Sequence, residues 1–394
     1  MLKVILKPNR EESLRRFHPW VFSGAISQII GNPSEGDVVA VCCSDGTQIA
    51  AGHYQIGSIA VRILSFSGDP LSPDFWVNTL SRAAALRRSL SFSSDTNCYR
   101  LVHGEGDGLP GLIVDWYDGV CVMQAHSVGM FRSRKKICEA LRAIFGDELK
   151  AVYDKSSQTA PFKAGLELVD GYLWKADGFD ASGFSVLENG NYFLVNWVEG
   201  QKTGFFLDQR ENRSLVGSLS RGRRVLNLFC YTGGFSVYAA KGGAIQVDSV
   251  DSSARAMDLV SKNMAANGFE GISGCFCADA LDFLSGSEPG KYDLVIVDPP
   301  AFAKHRGALK NALRAYQRLN ASAISKVAPG GFVFTFSCSQ VVDKVTFAQT
   351  VFSAAAQTGR SVRILGRLTQ GPDHPVSIYH PEGEYLKGLL LYVE

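Results

Sequence analysis

The order of apolar and polar residues divides the chain into regions with different patterns. Residues 1–70 contain short apolar runs separated by Gly, Asn, Pro and Asp, and these runs read KVILK, DVVAVCC, QIAAGHYQ and SIAVRIL. Short runs between turn residues are typical of β-strands. Residues 71–190 combine strand-like runs with two helical patterns, DFWVNTLSRAAALRRSL and FRSRKKICEALRAIF. We therefore predict an all-β domain over residues 1–70 and a central α+β domain over residues 71–190.

A different pattern occupies residues 191–394. Apolar strands that read RVLNLF, AIQVDSVD, YDLVIVD and GFVFTFS alternate with helical segments, among them 235–241, 253–267 and 307–328. Continuous apolar strands alternating with helices predict a parallel sheet covered on both faces, which is a doubly wound α/β fold. Ligands of such sheets bind at the carboxyl ends of the strands, so the residues that follow each strand are the first candidates for a site.

Composition narrows the class of protein only in part. Of the 394 residues, 46% are hydrophobic and 20% charged, which is ordinary for a soluble globular protein. We find no apolar run near the ~20 residues of a membrane span, and we expect no signal peptide. The nine cysteines show no paired spacing and no C-x-x-C, so we expect no disulfide framework, no metal site and a reducing cytoplasm. A net charge of +2 neither indicates nor excludes a nucleic-acid partner.

Three successive strands of the α/β region end in residues that suit an adenosyl cofactor. The first runs into a glycine turn, Asn227 to Ser236, which reads NLFCYTGGFS. The second ends in Asp251, whose carboxylate could accept hydrogen bonds from a ribose diol, and the third is followed by Asp279, which could accept from an adenine amino group. Both aspartates could instead cap helices. Because the Walker lysine motif is absent, the choice at this point lies between S-adenosylmethionine and NAD.

The fourth strand ends in Asp298-Pro299-Pro300. Prolines fix the direction of the chain, so a carboxylate and a rigid carbonyl would face whatever lies beside the cofactor. Such a pair can bind the amide-like edge of a base. The alternative is plain strand termination with a partly solvated aspartate.

The next strand ends in Ser337-Cys338-Ser339. A free cysteine is usually a small core residue. A thiol beside Asp298 could instead attack carbon 6 of a pyrimidine and make carbon 5 nucleophilic, provided that its surroundings activate it. Between the two motifs lies a basic segment that would contact phosphates or form an ordinary solvated face; its cations are Lys304, His305, Arg306, Lys310, Arg314 and Arg318.

Several motifs resemble the RlmI-like ribosomal RNA cytosine-C5 methyltransferases. They are QKTGFFLDQRENR, NLFCYTGGFSV, SVDSSARAM, VIVDPPAF and TFSCS, in that order, preceded by HPWVFSGAI and GEGDGLPGLIVDWY. The resemblance covers essentially the whole chain. It implies a β-barrel PUA-like RNA-binding domain, a central domain and a Rossmann-like class I methyltransferase domain. It further implies S-adenosylmethionine as cofactor, large-subunit ribosomal RNA as partner and a homodimer as one option.

The resemblance also implies roles for single residues. Cys338 would be the nucleophile and Asp298 would bind the base. The segment through Phe206, Asp208 and Arg210 would close over the cofactor. The remaining cofactor contacts would be Asn227, Phe229, Tyr231, Thr232, Gly233, Asp251, Ser252, Asp279, Ala280 and Asp298 itself, and the substrate contacts would be Pro299, Pro300, Phe302 and Lys304.

Three other functions stay open from the sequence. Methylation of an exocyclic base nitrogen uses an Asp-Pro-Pro motif with an aromatic residue next to it, whereas the aromatic here is one place later, at Phe302. Formation of 5-methyluridine uses the same thiol chemistry, usually with S-C-N-P in place of S-C-S-Q. A non-catalytic RNA-binding assembly factor would keep only the fold.

Overall fold

The computed structural model describes residues 2–90, 92–161, 165–303 and 305–394. The chain forms two compact units. The first comprises residues 1–186, 195–207 and 372–383, and the second comprises residues 187–194, 208–371 and 384–394. The predicted borders at residues 70 and 190 stay predictions.

The first unit contains a six-stranded sheet and a short helix. Its elements are β1 (Lys3–Leu6), α1 (Glu12–Arg15), β2 (Trp20–Phe22), β3 (Ile26–Ile30), β4 (Val38–Cys42), β5 (Gln48–Tyr54) and β6 (Ile59–Ser65). The strand order is β2-β6-β5-β4-β1-β3. Alternate residues of β1, Val4 and Leu6, are fully buried and pack with Val39, Val41 and Val61. This alternation places one face of the sheet on an apolar core.

A five-stranded sheet with two helices completes the first unit. Its elements are α2 (Phe75–Ser89), β7 (Cys98–His103), β8 (Leu112–Tyr117), β9 (Val120–Ala125), α3 (Val128–Phe145), β10 (Ala151–Asp154) and β11 (Gly171–Lys175). The strand order is β11-β10-β9-β8-β7. Every residue of β9 is buried, as expected for a central strand. The hydroxyl of Ser127 accepts from the backbone N–H of Met130 and starts α3.

The second unit is built on a seven-stranded sheet. Before it come a two-stranded sheet, β12 (Ser185–Glu188) with β13 (Asn191–Leu194), and α4 (Arg210–Ser218). The larger sheet and its helices are β14 (Arg224–Leu228), α5 (Gly234–Lys241), β15 (Gln246–Asp251), α6 (Ala254–Ala266), β16 (Ser273–Cys277), α7 (Ala280–Gly286), β17 (Tyr292–Val297), α8 (Leu309–Lys326), β18 (Val327–Ser337), α9 (Lys344–Thr358), β19 (Val362–Leu368) and β20 (Lys387–Val393).

The topology of this sheet explains where a site can form. Its order is β16-β15-β14-β17-β18-β20-β19, in which β14 to β18 run parallel and β20 is antiparallel to both of its neighbours. The direction of winding reverses between β14 and β17, and ligands bind at such a switch point. The predicted α/β class is confirmed, and helices predicted at 253–267 and 307–328 are found at Ala254–Ala266 and Leu309–Lys326. Among the described residues, no helix has the length and apolar character needed to cross a membrane.

Candidate active site

The carboxyl ends of five strands meet at one edge of the large sheet. Leu228 of β14 pairs with Val250 of β15 on one side and with Val297 of β17 on the other. Val297 in turn pairs with Thr335 of β18. The residues that follow these strands therefore leave the sheet side by side. The glycine turn, Asp251, Asp298 and Cys338 are brought to this edge, as the sequence predicted.

The turn after β14 has an unusual backbone. Phe229 and Tyr231 adopt positive φ angles of 57° and 48°, and Gly233 has φ 79°. A left-handed conformation costs a residue with a side chain roughly 1–2 kcal/mol, so the surroundings must hold it in place. One such contact is the backbone N–H of Tyr231, which donates to Asp251 Oδ2 at 3.1 Å. A Cβ atom on Gly233 would lie 3.1 Å from Val260, so this glycine also lets α6 approach the turn.

Of the two aspartates that could have capped helices, Asp251 and Asp279, only Asp279 does so. In α6 the cap is Ser253, whose hydroxyl accepts from Ala256 N–H. Asp251 instead accepts from Tyr231 N–H and, at 3.0 Å, from Ser253 N–H. Each of its oxygens thus retains a lone pair for a further donor. Asp279 does cap α7, and it is exposed.

The other predicted cofactor residues near the turn differ in exposure. Asn227 is buried; its Nδ2 donates to Ser236 Oγ at 2.9 Å, and its Oδ1 has no partner among the described residues. Thr232 is buried, and its carbonyl accepts from Asn263. Ser252 is exposed, whereas Ala280 is buried.

Asp298 is the acidic centre of the site. Its Oδ2 accepts from Gln209 Nε2 at 3.0 Å, and Gln209 in turn accepts from Asn212 at 2.6 Å. Loss of hydration raises the pKa of Asp298 to about 7, and the negative charge of Asp208 adds to this shift. The carboxyl group is therefore divided between its protonated and ionised forms near neutral pH.

The segment that was expected to cover the cofactor supplies part of this acidic centre. Asp208 Oδ2 accepts from the hydroxyl of Tyr385 at 2.6 Å, while its buried Oδ1 has no hydrogen-bond partner among the described residues. Arg210 is almost fully buried, with Nε 3.3 Å from Glu211. Phe206 is half-buried. Closure of this segment stays a prediction.

Cys338 lies between two anchored serines. Ser337 Oγ donates to the hydroxyl of Tyr316 at 3.0 Å, and the hydroxyls of Tyr316 and Ser339 are also 3.0 Å apart. Ser339 Oγ further accepts from Ala303 N–H at 3.3 Å, which ties the turn to the segment that follows Asp298. Both serines are fully buried, whereas Cys338 is partly exposed. Cys338 is therefore the one member of the triplet that retains exposed surface.

The thiol is not activated as it stands. Burial raises the pKa of Cys338 to about 11, with further increases from the charges of Asp298 and Asp208. The charge of Lys387 acts in the opposite direction. Lys387 is buried, and its ammonium donates to the carbonyls of Ser339 and Tyr385 at 2.6 and 2.7 Å.

The predicted substrate residues are arranged unevenly. Pro299 is buried and Pro300 is exposed. Phe302 is half-buried, with its ring centroid 4.7 Å from that of Tyr316. Lys304 lies outside the described residues. The remaining cations of the basic segment are exposed, and the last three of them follow one face of α8; in chain order they are His305, Arg306, Lys310, Arg314 and Arg318.

Sequence reasoning missed four side chains of the site. Gln209 lies inside a quoted motif, but its type alone gives no reason to place it on Asp298. Tyr316 has helical spacing and looks like a core residue, and Tyr385 and Lys387 lie more than 40 residues beyond Cys338. An isolated lysine at the start of an apolar strand, LKGLLLYV, was the one available signal for Lys387.

The fold and the site define an S-adenosylmethionine-dependent methyltransferase. A family described as S-adenosylmethionine-dependent methyltransferase matches residues 99–391, and a PUA-like domain family matches residues 4–66. Both expectations from the motifs are thus confirmed. The residues present fit the cofactor: Asp251 has free acceptor capacity for hydroxyls, and Asp208 Oδ1 and Asn227 Oδ1 are buried acceptors without a partner among the described residues.

The curated relatives narrow the class further. Proteins named ribosomal RNA large subunit methyltransferase I from Shewanella amazonensis and Photobacterium profundum are 39% and 40% identical to this chain. The alignments cover 100% and 99% of this chain, and 99% of each relative. The chain therefore belongs to the family of ribosomal RNA large subunit methyltransferase I.

Two solved structures share the fold over the full length of both chains. One is an S-adenosylmethionine-dependent methyltransferase from Streptococcus mutans, with a TM-score of 0.84 and 22% identity. The other is a methyltransferase complexed with SAH, with a TM-score of 0.85 and 23% identity. At this level of identity the likeness concerns the fold alone.

Proposed function

We propose that this chain methylates carbon 5 of a cytosine in large-subunit ribosomal RNA through a covalent adduct at Cys338. The observation that carries the proposal is the pairing of a partly exposed thiol with a carboxyl group of raised pKa at adjacent strand ends. The name of the relatives, ribosomal RNA large subunit methyltransferase I, supports ribosomal RNA as the substrate class.

Cys338 performs the first step of the proposed reaction. The thiol passes its proton to solvent, and the resulting thiolate forms a bond between Sγ and carbon 6 while the π bond between carbons 5 and 6 breaks. Carbon 5 then gains the electron density that it needs to accept a methyl group. After the transfer, a base removes the hydrogen from carbon 5 and the bond between Sγ and carbon 6 breaks, which regenerates Cys338.

Asp298 binds the ring edge and favours cytosine. N3 of cytosine is an acceptor and its exocyclic N4 is a donor, so a protonated carboxyl group can donate to N3 and accept from N4. A pKa of about 7 keeps much of Asp298 protonated at neutral pH. A protonated carboxyl group can also pair with the N3–H donor and O4 acceptor of uracil, but at the same position this requires the proton on Oδ2, the oxygen that accepts from Gln209. Negative charge that develops at N3 during the attack would also be stabilised by the Asp298 proton.

The cofactor supplies the electrophilic methyl group when it is bound. Asp251 would accept hydrogen bonds from the ribose hydroxyls, with its position fixed by the backbone N–H groups of Tyr231 and Ser253. The unpartnered Oδ1 of Asp208 would accept from a cationic amino group. The role of Asp279 beside adenine, and a homodimer, stay predictions.

Two features of the chain support an RNA partner. The PUA-like match covers residues 4–66, and the exposed cations Lys310, Arg314 and Arg318 follow one face of α8, close in the chain to Asp298. Cations at a spacing of four residues on a helix lie on one side and can contact successive phosphates.

The test is methylation of unmodified large-subunit ribosomal RNA with radiolabelled S-adenosylmethionine, followed by mass spectrometry of the nucleosides. Wild type and a Cys277→Ala control, which removes an exposed thiol on β16, should both give 5-methylcytidine. Cys338→Ala should give none. A methyl group on an exocyclic nitrogen, or full activity of Cys338→Ala, would refute the mechanism. Binding of RNA without any methyl transfer would favour an assembly factor.

A further inference from the structure

Lys387 is a buried cation without a carboxylate partner. Its side chain is almost fully enclosed, and its ammonium bonds to two backbone carbonyls, those of Ser339 and Tyr385. No carboxylate oxygen of the described residues lies within 4 Å of its Nζ. Buried charges are normally paired, because removal of a cation from water is costly. A third N–H of the ammonium remains for another acceptor.

The sheet register places this cation at the candidate nucleophile. Lys387 begins β20 and pairs with Ser337, the last residue of β18. Its Nζ lies 2.6 Å from the carbonyl of Ser339. The ammonium therefore contacts the residue that directly follows Cys338, and it approaches from a strand other than the one that carries the thiol.

The other ionisable groups around Cys338 have the opposite effect on its ionisation. Asp298 follows β17 and Asp208 precedes α4, and both carboxylates disfavour a thiolate. Tyr316 of α8 contacts the flanking serines as a neutral hydroxyl. Three groups around Lys387 favour its charged form: Cys338 most strongly, then Asp343 and Glu384. The neighbouring cation Lys344 disfavours it. In the part of the chain that the structure describes, the side-chain charges that act most on the thiol are thus those of two anions and the Lys387 cation.

We propose that the Lys387 ammonium is the counter-ion of the Cys338 thiolate and thereby a positioning residue for the nucleophile. The inference rests on the proposed function in one respect, the role of Cys338 as nucleophile. Ionisation breaks the S–H bond, leaves the electron pair on Sγ and passes the proton to solvent. The fixed ammonium lowers the free energy of that thiolate, and its bonds to the two carbonyls hold the Ser337-Cys338-Ser339 turn in place.

The reactivity of Cys338 toward iodoacetamide tests this role without RNA or cofactor. The full-length chain carries Cys275→Ser and Cys277→Ser to remove the exposed competing thiols. Alkylation of Cys338 is followed by peptide mass spectrometry between pH 6 and 10. Lys387→Met and Lys387→Gln remove the charge, and the glutamine keeps one donor for the turn. Lys387→Arg keeps the charge.

A matched control is available at Lys326. Its ammonium also bonds to two backbone carbonyls, those of Ser285 and Ser287, but it is not among the groups that shift the pKa of Cys338. Lys326→Met therefore removes a lysine of the same hydrogen-bonding type elsewhere in the second unit. Its alkylation profile should match that of the unsubstituted chain.

If the Lys387 charge stabilises the thiolate, the effect of its removal on the alkylation rate should depend on pH. At pH 7.5 the neutral variants should alkylate about tenfold more slowly, which corresponds to an increase of about one unit in the pKa of Cys338. Burial lowers the pKa of Lys387 to about 8, so the difference should narrow as the pH rises beyond that value. Lys387→Arg should stay within about threefold of the unsubstituted chain. A purely structural lysine would not produce this dependence.

The outcomes separate this inference from the proposed function. Folded neutral variants with an unchanged pH profile would overturn it. It would also be overturned if both neutral variants failed to fold while Lys387→Arg folded, since Lys387 would then serve stability. If the Lys387 charge had no effect on alkylation, the methylation result for Cys338→Ala would still stand. If Cys338→Ala were active, the alkylation result for the Lys387 variants would still stand.

Discussion

Replacement of Asp298 by asparagine should stabilise the protein at alkaline pH while it damages the site. The pKa of Asp298 lies at about 7, well above its ordinary value of 3.8, because burial and the charge of Asp208 disfavour the carboxylate. The asparagine side chain would have nearly the same shape and could still accept the hydrogen bond that Gln209 donates at 3.0 Å. The substitution therefore removes the cost of ionisation with little change in packing.

The direction of the pH dependence follows from how tightly the folded and the unfolded protein bind the Asp298 proton. Between pH 3.8 and about 7 the folded protein holds the Asp298 proton more tightly than the unfolded chain, so its stability falls as the pH rises through this window. The window spans about three pH units, and each unit corresponds to about 1.4 kcal/mol. Ionisation of Asp298 therefore lowers the free energy of unfolding by at most about 4 kcal/mol above pH 7. Structural relaxation and entry of water reduce such penalties in proteins, so we expect ionisation of Asp298 to destabilise the folded state by about 2 kcal/mol.

The measurement is urea unfolding of wild type and Asp298→Asn at pH 5, 6, 7 and 8. The difference in the free energy of unfolding should be smallest at pH 5 and should favour the variant by about 2 kcal/mol at pH 8. Asp293→Asn is the control of opposite sign, because the ion pair with Arg224 holds the pKa of Asp293 below its usual range. That variant should lose stability relative to wild type at pH 8.

A difference between wild type and Asp298→Asn that does not change from pH 5 to pH 8 would refute the reasoning. It would mean that Asp298 is hydrated well enough to ionise normally. The preference for cytosine that we derive from its protonated form would then lose its basis. The methylation assay supplies the second half of the result, since Asp298→Asn should be nearly inactive although it folds.

Four further substitutions test other parts of the second unit. Tyr316→Phe removes the hydroxyl shared by the two serines, and we expect a loss of about 1–3 kcal/mol in urea unfolding and a lower kcat with unchanged cofactor affinity. Asp251→Ala should weaken binding of S-adenosylhomocysteine in calorimetry by about 10- to 100-fold, whereas Ser253→Ala should cost only about 1 kcal/mol of stability. Arg213→Met breaks a buried ion pair with Glu188, so urea unfolding should show a loss of about 3–5 kcal/mol.

The sequence predicted the parts of the site that local rules determine. Asp251 ends a strand, and Asp298 and Cys338 each directly follow one. The carboxyl ends of parallel strands share an edge, so the placement of these residues at one edge followed from their order in the sequence. The helix-cap question for Asp251 and Asp279 could not be settled in this way. Whether an aspartate caps depends on a difference of one or two residues in the helix start, and here Ser253 takes that position in α6.

The residues that the sequence did not reveal act across long separations. Gln209 is 89 positions from Asp298, and Tyr385 is 177 positions from Asp208. Lys387 meets the turn after β18 only because β20 is inserted antiparallel beside that strand. Nothing in the pattern of a single strand predicts such an insertion. Contacts between side chains that depend on the order of strands in the sheet can therefore be identified only from the three-dimensional structure.

In the proposed mechanism, the charges at this edge would keep the Cys338 thiol unreactive until substrate binds. With a pKa of about 11, Cys338 is almost entirely protonated at neutral pH. Protonation of Asp298, which a cytosine N3 acceptor would favour, removes one of the two negative charges that oppose the thiolate. The Lys387 cation is fixed by two carbonyls and does not depend on the substrate. Binding of the correct base would thus lower the pKa of the thiol at the position of the proposed attack, and a base that leaves Asp298 ionised would not.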